Sequence, residues 1–174
     1  DRSLVGSEMC IRDRTVSVHQ TRIQDNPTRF LWAQENSSRL WLTAGTTSLF
    51  AIDTASGSVL NETKISDYPN FTASRSGKTL LSWESFGDDV RVKLYDSGTL
   101  QKLAEQPIRA NAVSAWKKGF AVVGANGELH GLDDLTLAPL WPSKKLTFIP
   151  AEIEPDADGT HVLLKNAEGA AAVS

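Results

Sequence analysis

Short apolar runs recur along the chain, each entered through a polar turn: NSSRLWL from Asn36, SGKTLLS from Ser76, KKGFAVV from Lys117 and ADGTHVLL from Ala157. Within the runs the apolar residues are consecutive rather than alternating (Leu40, Trp41, Leu42; Leu80, Leu81; Phe120, Ala121, Val122, Val123; Val162, Leu163, Leu164). That pattern predicts a strand covered on both faces. The segments closing each unit are polar (Asn61, Glu62, Lys64; Gln101, Lys102, Glu105; Lys144, Lys145), as suits edge strands, where charge discourages pairing with other chains. One stretch has helical spacing, Leu100, Leu103 and Ala104 within Thr99 to Gln106, with Pro107 to end it. Since Ile108 lies 43 residues after Ile65, and the equivalent segments hold Val59 and β-branched Thr63, a strand is the better fit.

The runs belong to a longer repeat. VHQTRIQDNP, from Val18 to Pro27, returns 42 residues later as LNETKISDYP, from Leu60 to Pro69, with Thr21, Ile23, Asp25 and Pro27 matched by Thr63, Ile65, Asp67 and Pro69. LFAID, VKLYD and LHGLD end at Asp53, Asp96 and Asp133, spaced by 43 and 37 residues. Periods near forty without helical patterning predict one four-stranded blade per repeat. In the second unit the strands are Phe71 to Ala73, Thr79 to Trp83, Val90 to Tyr95 and Gln101 to Ile108. The expected fold is all-β, a partial β-propeller of about four blades of four antiparallel strands, incomplete at both ends. Residues 15–23 are the last strand of a blade, 27–66, 69–108 and 110–146 are blades, and 149–174 is an incomplete one. Residues 15–23 pairing with 170–174 would close a four-bladed ring; half of a six- to eight-bladed propeller is the preferred expectation. Such a piece alone leaves apolar blade faces uncovered, an aggregation liability.

Residues 1–14 share nothing with the repeat. Ser3 to Arg14, SLVGSEMCIRDR, resembles a translated transposon-type sequencing-library adapter, and Asp1 and Arg2 repeat the DR of Asp13 and Arg14. A secretory leader needs a basic start, an apolar run and a small-residue cleavage site, which Leu4 to Arg14 do not provide. The segment is therefore expected to be an adapter-derived, disordered artefact, with the natural amino terminus upstream. It holds Cys10 and Met9, the chain's one cysteine and one methionine, so the remainder offers no thiol chemistry or disulfide and cysteine usage does not report the compartment.

The 174 residues are 40% hydrophobic and 22% charged, with 18 basic and 21 acidic groups and a net charge of −3. The length suits one domain. The acidic balance argues against a phosphate-backbone partner, and no stretch approaches the roughly 18 consecutive apolar residues of a membrane helix.

The turn-and-strand segments RSGKTLLSW and DADGTHVLL resemble the SPDGKxLxx hairpin common in propellers, and residues 15–174 as a whole resemble the WD-repeat-like (YVTN-like) and quinoprotein-like propeller superfamilies, without the Gly-His and Trp-Asp dipeptides of true WD repeats. Ala51, Asp53, Ser56 and Gly57 resemble the AxDxxTG part of the quinoprotein tryptophan-docking motif, with Ser for Thr and Asn61 where the tryptophan belongs. That tryptophan packs between blades in the family, so its loss weakens the quinoprotein reading, and no cofactor residue carries over. Asp53, Asp96 and Asp133 fit a structural role, accepting backbone N–H bonds in the following turn.

Asp156, Ala157, Asp158 and Gly159 invite a calcium-loop reading, but counting from Glu154 puts Lys165 at the bidentate position twelve, so an ordinary hairpin turn is expected. His19, His130 and His161 fall on three different predicted strands with no HxH or HExxH spacing, and the serines lack a GxSxG context. Trp32, Trp41, Trp83, Trp116 and Trp141 are expected to pack blades; the alternative weighed against this is that one or two line a recognition surface at the rim. Asn36, Asn61 and Asn70 begin N-x-S/T sequons.

No catalytic, cofactor-binding or metal-ligating residue is assigned, and no cofactor. The expected function is a non-catalytic scaffold that binds a protein or a small ligand on a loop face of the propeller, with neither nucleic acid nor membrane as partner. The alternative is a piece of a propeller-containing enzyme, quinoprotein, lactonase-like or hydrolase-associated, whose active site lies outside this sequence. Fold-level analogy does not choose between them.

Overall fold

The computed structural model describes residues 27–32, 38–44, 48–65, 70–84, 90–167 and 169–173. Residues 1–14, the expected strand at 15–23, and most of the first repeat decapeptide lie outside the described residues. All regular structure among the described residues is β, in four antiparallel sheets. The first is β1 (Pro27–Trp32), β2 (Arg39–Ala44), β3 (Ser48–Asp53) and β4 (Val59–Lys64). The second is β5 (Asn70–Ala73), β6 (Thr79–Trp83), β7 (Val92–Asp96) and β8 (Lys102–Gln106). The third is β9 (Ala110–Trp116), β10 (Gly119–Gly124), β11 (Glu128–Asp133) and β12 (Lys144–Lys145), and the fourth β13 (Glu152–Pro155), β14 (Val162–Asn166) and β15 (Gly169–Val173). In every sheet the spatial order is the sequence order, the meander of a propeller blade.

Burial grades across each blade as the hydropathy pattern requires. The second strands are the most covered: Trp41, Leu80, Leu81, Phe120 and Val122 are all inaccessible to solvent, while the fourth strands β4, β8 and β12 are mostly exposed. Among the described residues one core cluster, Leu42, Ala44, Phe50 and Ile52, lies within blade 1, and the others lie between blades. Trp41, Leu49 and Ala51 of blade 1 meet Ala73, Leu80 and Tyr95 of blade 2. Leu81, Val92 and Leu94 on the other face of blade 2 meet Phe120, Val122 and Leu132 of blade 3, whose far face (Ala112, Ala121, Val123) receives Ile153, Val162 and Leu164 of blade 4. Apolar side chains on both faces of one strand are thus each spent on a different neighbour.

The stretch with helical spacing is a strand with a bulge. Leu94 pairs with Ala104 and Tyr95 with Lys102, so Leu103 is the extra residue and is half exposed. Leu60 is skipped in the same way between Ala51↔Asn61 and Ile52↔Val59. A bulge puts two residues opposite one and breaks the period of two, which is why Leu100, Leu103 and Ala104 look helical in the sequence.

The turn between the third and fourth strands is built the same way three times. Asp53 Oδ1 accepts from Ser56 N at 2.7 Å and Ser56 Oγ at 2.9 Å; Asp96 Oδ1 accepts from Gly98 N, Thr99 N and Thr99 Oγ1 at 2.9, 2.7 and 3.0 Å. Asp133 Oδ1 accepts from Leu135 N, Thr136 N and Thr136 Oγ1 at 3.0, 2.9 and 2.8 Å. The expected structural role of these carboxylates is what the geometry displays. The next residue is left-handed each time: Gly57 at φ 70°, Leu100 at 57° and Leu137 at 58°. A leucine there costs on the order of 1–2 kcal/mol of backbone strain. Leu100 is 2% exposed and Leu137 fully buried in the cores between blades, and burying a leucine gains about 1.5–3 kcal/mol, so the side chain wins.

Candidate functional site

The blades have two rims. One, the turn rim, carries the turns from first to second and from third to fourth strands. The other, the mouth rim, carries the turns from second to third strands and the segments linking successive blades. The first strands lie beside one another (β1 by β5, β5 by β9, β9 by β13) and so form the inner wall.

At the turn rim this wall is bridged. Arg75 Nη2, from the β5–β6 turn, donates to Ala157 O in the β13–β14 turn at 3.0 Å, linking blades 2 and 4, while Lys117 N donates to Gly159 O at 2.7 Å. The expected hairpin replaces a calcium loop here. Asp156 accepts from His161 N and Thr160 Oγ1 at 3.1 and 3.0 Å and sits 2.8 Å from His161 Nδ1, and the backbone bond from His161, foremost, holds its carboxyl down at about 2. Lys165 pairs with Glu154.

At the mouth rim the wall opens into a cavity of about 370 Å³ framed by three blades. Blade 2 contributes Asn70 and Trp83, cross-strand partners at the mouth end of β5 and β6. Blade 3 contributes Asn111, skipped between Val123↔Ala112 and Gly124↔Ala110 and therefore the bulged residue of β9. A bulge re-aims a side chain, and Asn111 Nδ2 donates to Pro150 O at 2.8 Å. Blade 4 contributes Glu152, exposed, and Glu154. The lining is amide, indole and carboxylate over an apolar floor of Ala112, Val113 and Ile153, groups that orient a ligand through hydrogen bonds and contact with an aromatic face.

Among the described residues Trp83 is the tryptophan that lines this cavity. Trp41 is fully buried and donates Nε1 to Ser97 O of blade 2 at 2.9 Å. Trp116 and Trp141 meet edge to face, ring centroids 4.8 Å apart at 82°, in the seam between blades 3 and 4; both have a buried Nε1 without a hydrogen-bond partner among the described residues. The side chain of Trp32, like His19 and Asn36, lies outside the described residues. His161 sits in the turn just before β14 rather than on a strand, because Asp156 captures its backbone N–H and ring. Among the described residues no group of three His, Cys, Asp or Glu is placed to hold a metal ion.

Sequence reasoning missed the equivalence of Trp141 in blade 3 with Asn61 in blade 1. Trp141 follows Asp133 by eight residues, as Asn61 follows Asp53, and lies on Gly131, where a Cβ would meet its ring at 2.1 Å. Leu137 stands where Gly57 does in blade 1, which hid the equivalence; the eight-residue Asp-to-Trp spacing was the usable signal. In blade 1, Asn61 reaches the neighbouring blade by a hydrogen bond instead, Nδ2 to Gly98 O at 2.5 Å.

No protein-family model and no curated protein matches the sequence. Solved structures do. The chain is similar to BamB from Moraxella catarrhalis (15% identity, TM-score 0.58, 80% of this chain and 47% of that one). It is similar to the computationally designed Ika4 protein (15%, 0.64, 87% and 92%) and to the dihydro-heme d1 dehydrogenase NirN in complex with DHE (15%, 0.64, 86% and 34%). It spans about half of the BamB chain and a third of the NirN chain. All three are β-propellers, and the fold here is a β-propeller.

Proposed function

We propose that these blades form a binding scaffold whose recognition site is the mouth cavity, taking a small ligand or a protruding segment of a partner protein. The observation that carries this reading is the convergence of three inner strands on one open cavity, with Asn111 turned into it by a bulge and Trp83 presenting an indole. Bulges next to recognition sites re-aim side chains, and few polar groups on an aromatic and apolar base fix a ligand's orientation.

A second reading has its own support. The likeness to a dehydrogenase chain of which this sequence spans 34% suits blades that belong to an enzyme with its reacting groups elsewhere. One experiment addresses both: the indole and side-chain amide resonances of the 15N-labelled protein are followed while amino-acid, saccharide and short-peptide probes are added. The scaffold reading expects saturable shifts at Trp83, Asn70 and Asn111 with the probe recovered unchanged. No saturable shift at these three groups for any probe class overturns the cavity as the site, and chemical conversion of a bound probe replaces the scaffold by the enzyme.

A further inference from the structure

A second cavity, of about 500 Å³, opens at the mouth rim in the seam between blades 2 and 3, lined by Ile108, Arg109, Asn126, Glu128 and His130 with the backbone of Gly124 and Ala125. The connecting segment is held there by Ala125 N donating to Arg109 O at 2.7 Å, and Asn126 is fixed by accepting from Glu128 N at 3.1 Å. Two donor groups along this wall have nothing to donate to. The Arg109 side chain is exposed and makes no hydrogen bond or ion pair among the described residues. The His130 side chain is 20% exposed, and among the described residues neither ring nitrogen has a hydrogen-bond partner; Glu128 Oε2 stands 3.8 Å from Nε2. A guanidinium and an imidazole that line one cavity without protein acceptors are two donors a ligand can engage.

We propose that this seam cavity binds an oxyanion, the carboxylate or the phosphate-type group of a small ligand, with the Arg109 guanidinium and an N–H of His130 as its donors. A guanidinium offers paired N–H groups matched to two oxygens of such an anion, and imidazole adds a donor in either protonation state. Lys145 is the cross-strand partner of Glu128, and its ammonium is held by Asn126 O. Burial pushes the His130 ring below its ordinary range against the opposing pull of Glu128, so at neutral pH it donates as a neutral ring. The charged groups facing it are Glu128 on its own strand, Arg109 on the connecting segment and Lys145 on β12. An anion favours the protonated ring, so affinity should rise several-fold from pH 8 to pH 6.

The test uses the full chain and two probes: sulfate, which does not titrate in this range, and acetate. The Cε1–H resonance of His130, assigned by its loss in His130→Gln, is followed in each titration. Saturable movement with either probe is the expected result, sulfate alone pointing to a tetrahedral group and acetate alone to a carboxylate. Arg109→Gln should weaken binding by roughly tenfold or more, the value of a charge-assisted hydrogen bond. Lys118→Gln, which removes an exposed cation in the β9–β10 turn at the opposite rim, should leave it unchanged. No saturation by either probe, or equal weakening in the two variants, would overturn the proposal, the latter by showing general screening. Circular dichroism of Arg109→Gln confirms that the comparison is between folded proteins.

Discussion

The two rims of these blades divide the labour of the fold. Along the turn rim the same Asp-centred turn is built three times, and side chains cross from blade to blade: Trp41 to Ser97 O, Asn61 to Gly98 O, Thr79 Oγ1 to Asp134 O at 2.6 Å, and Arg75 to Ala157 O. Along the mouth rim, blade-to-blade side-chain bonding is represented by Asn111, and both cavities discussed above open there. The contrast puts the cohesive side-chain bonds at one end of the strands and the proposed recognition sites at the other. Substitutions at one rim should move stability, and substitutions at the other should move binding.

The largest effect is expected from Trp41→Ala. It removes a fully buried indole together with its bond between blades, and losses of about 3–5 kcal/mol are typical of such truncations. Urea unfolding reads it directly; a loss below about 1 kcal/mol would place cohesion elsewhere.

Gly131→Ala comes next. Its Cβ would stand 2.1 Å from the ring of Trp141, and because an indole wedged between blades has little room to yield, about 1–3 kcal/mol should be lost. The emission of the Trp116–Trp141 pair reports whether the ring has been displaced.

Acid should erode the turn rim selectively. Asp53 and Asp96 are held below the ordinary carboxylate range chiefly by backbone N–H bonds from Ser56 and Thr99, and Asp133 chiefly by the Thr136 hydroxyl. A carboxyl whose folded pKa lies below its unfolded one contributes stability that is complete above the unfolded value, near 4, and is lost as pH falls through the folded value, about 2 for Asp156. The Tm should therefore hold steady from pH 7 to about 5 and fall below about 4. Asp96→Ala should lower the Tm at pH 7 by a few degrees and flatten that fall; an unchanged acid slope would show that the turns do not carry it.

The smallest change in stability should come from the mouth rim. Glu152→Gln alters an exposed side chain, and such substitutions usually fall within about 0.5 kcal/mol. The same variant should change the response of Trp83 to any probe bound in the mouth cavity. A large drop in Tm would erase the distinction between the rims.

What was legible in the sequence follows this division. The second strands announce themselves because both faces of Leu40 to Leu42 or Phe120 to Val123 must be apolar to meet two neighbours. The Asp turns are local, so Asp53, Asp96 and Asp133 keep their spacing to the hydroxyl residues that bond them. The mouth cavity was illegible because Asn70, Trp83, Asn111 and Glu152 come from four strands of three blades, and only closure of the inner wall gathers them. Asn111 is aimed by a bulge that no residue type announces, and Arg109 and His130 are brought together only by the seam.

The reach of Arg75 past blade 3 to blade 4 has a kinetic corollary. Repeat arrays are commonly treated as chains of units that feel only the adjacent unit, so that the end unit can peel away by itself. Here the last sheet is fastened to two others at once, and a statistical description of unfolding needs an energy between next-nearest units. Peeling from that end must break both fastenings, and removing the guanidinium with Arg75→Ala should reveal fraying as faster amide exchange in Glu152–Pro155 while the first two sheets keep their protection.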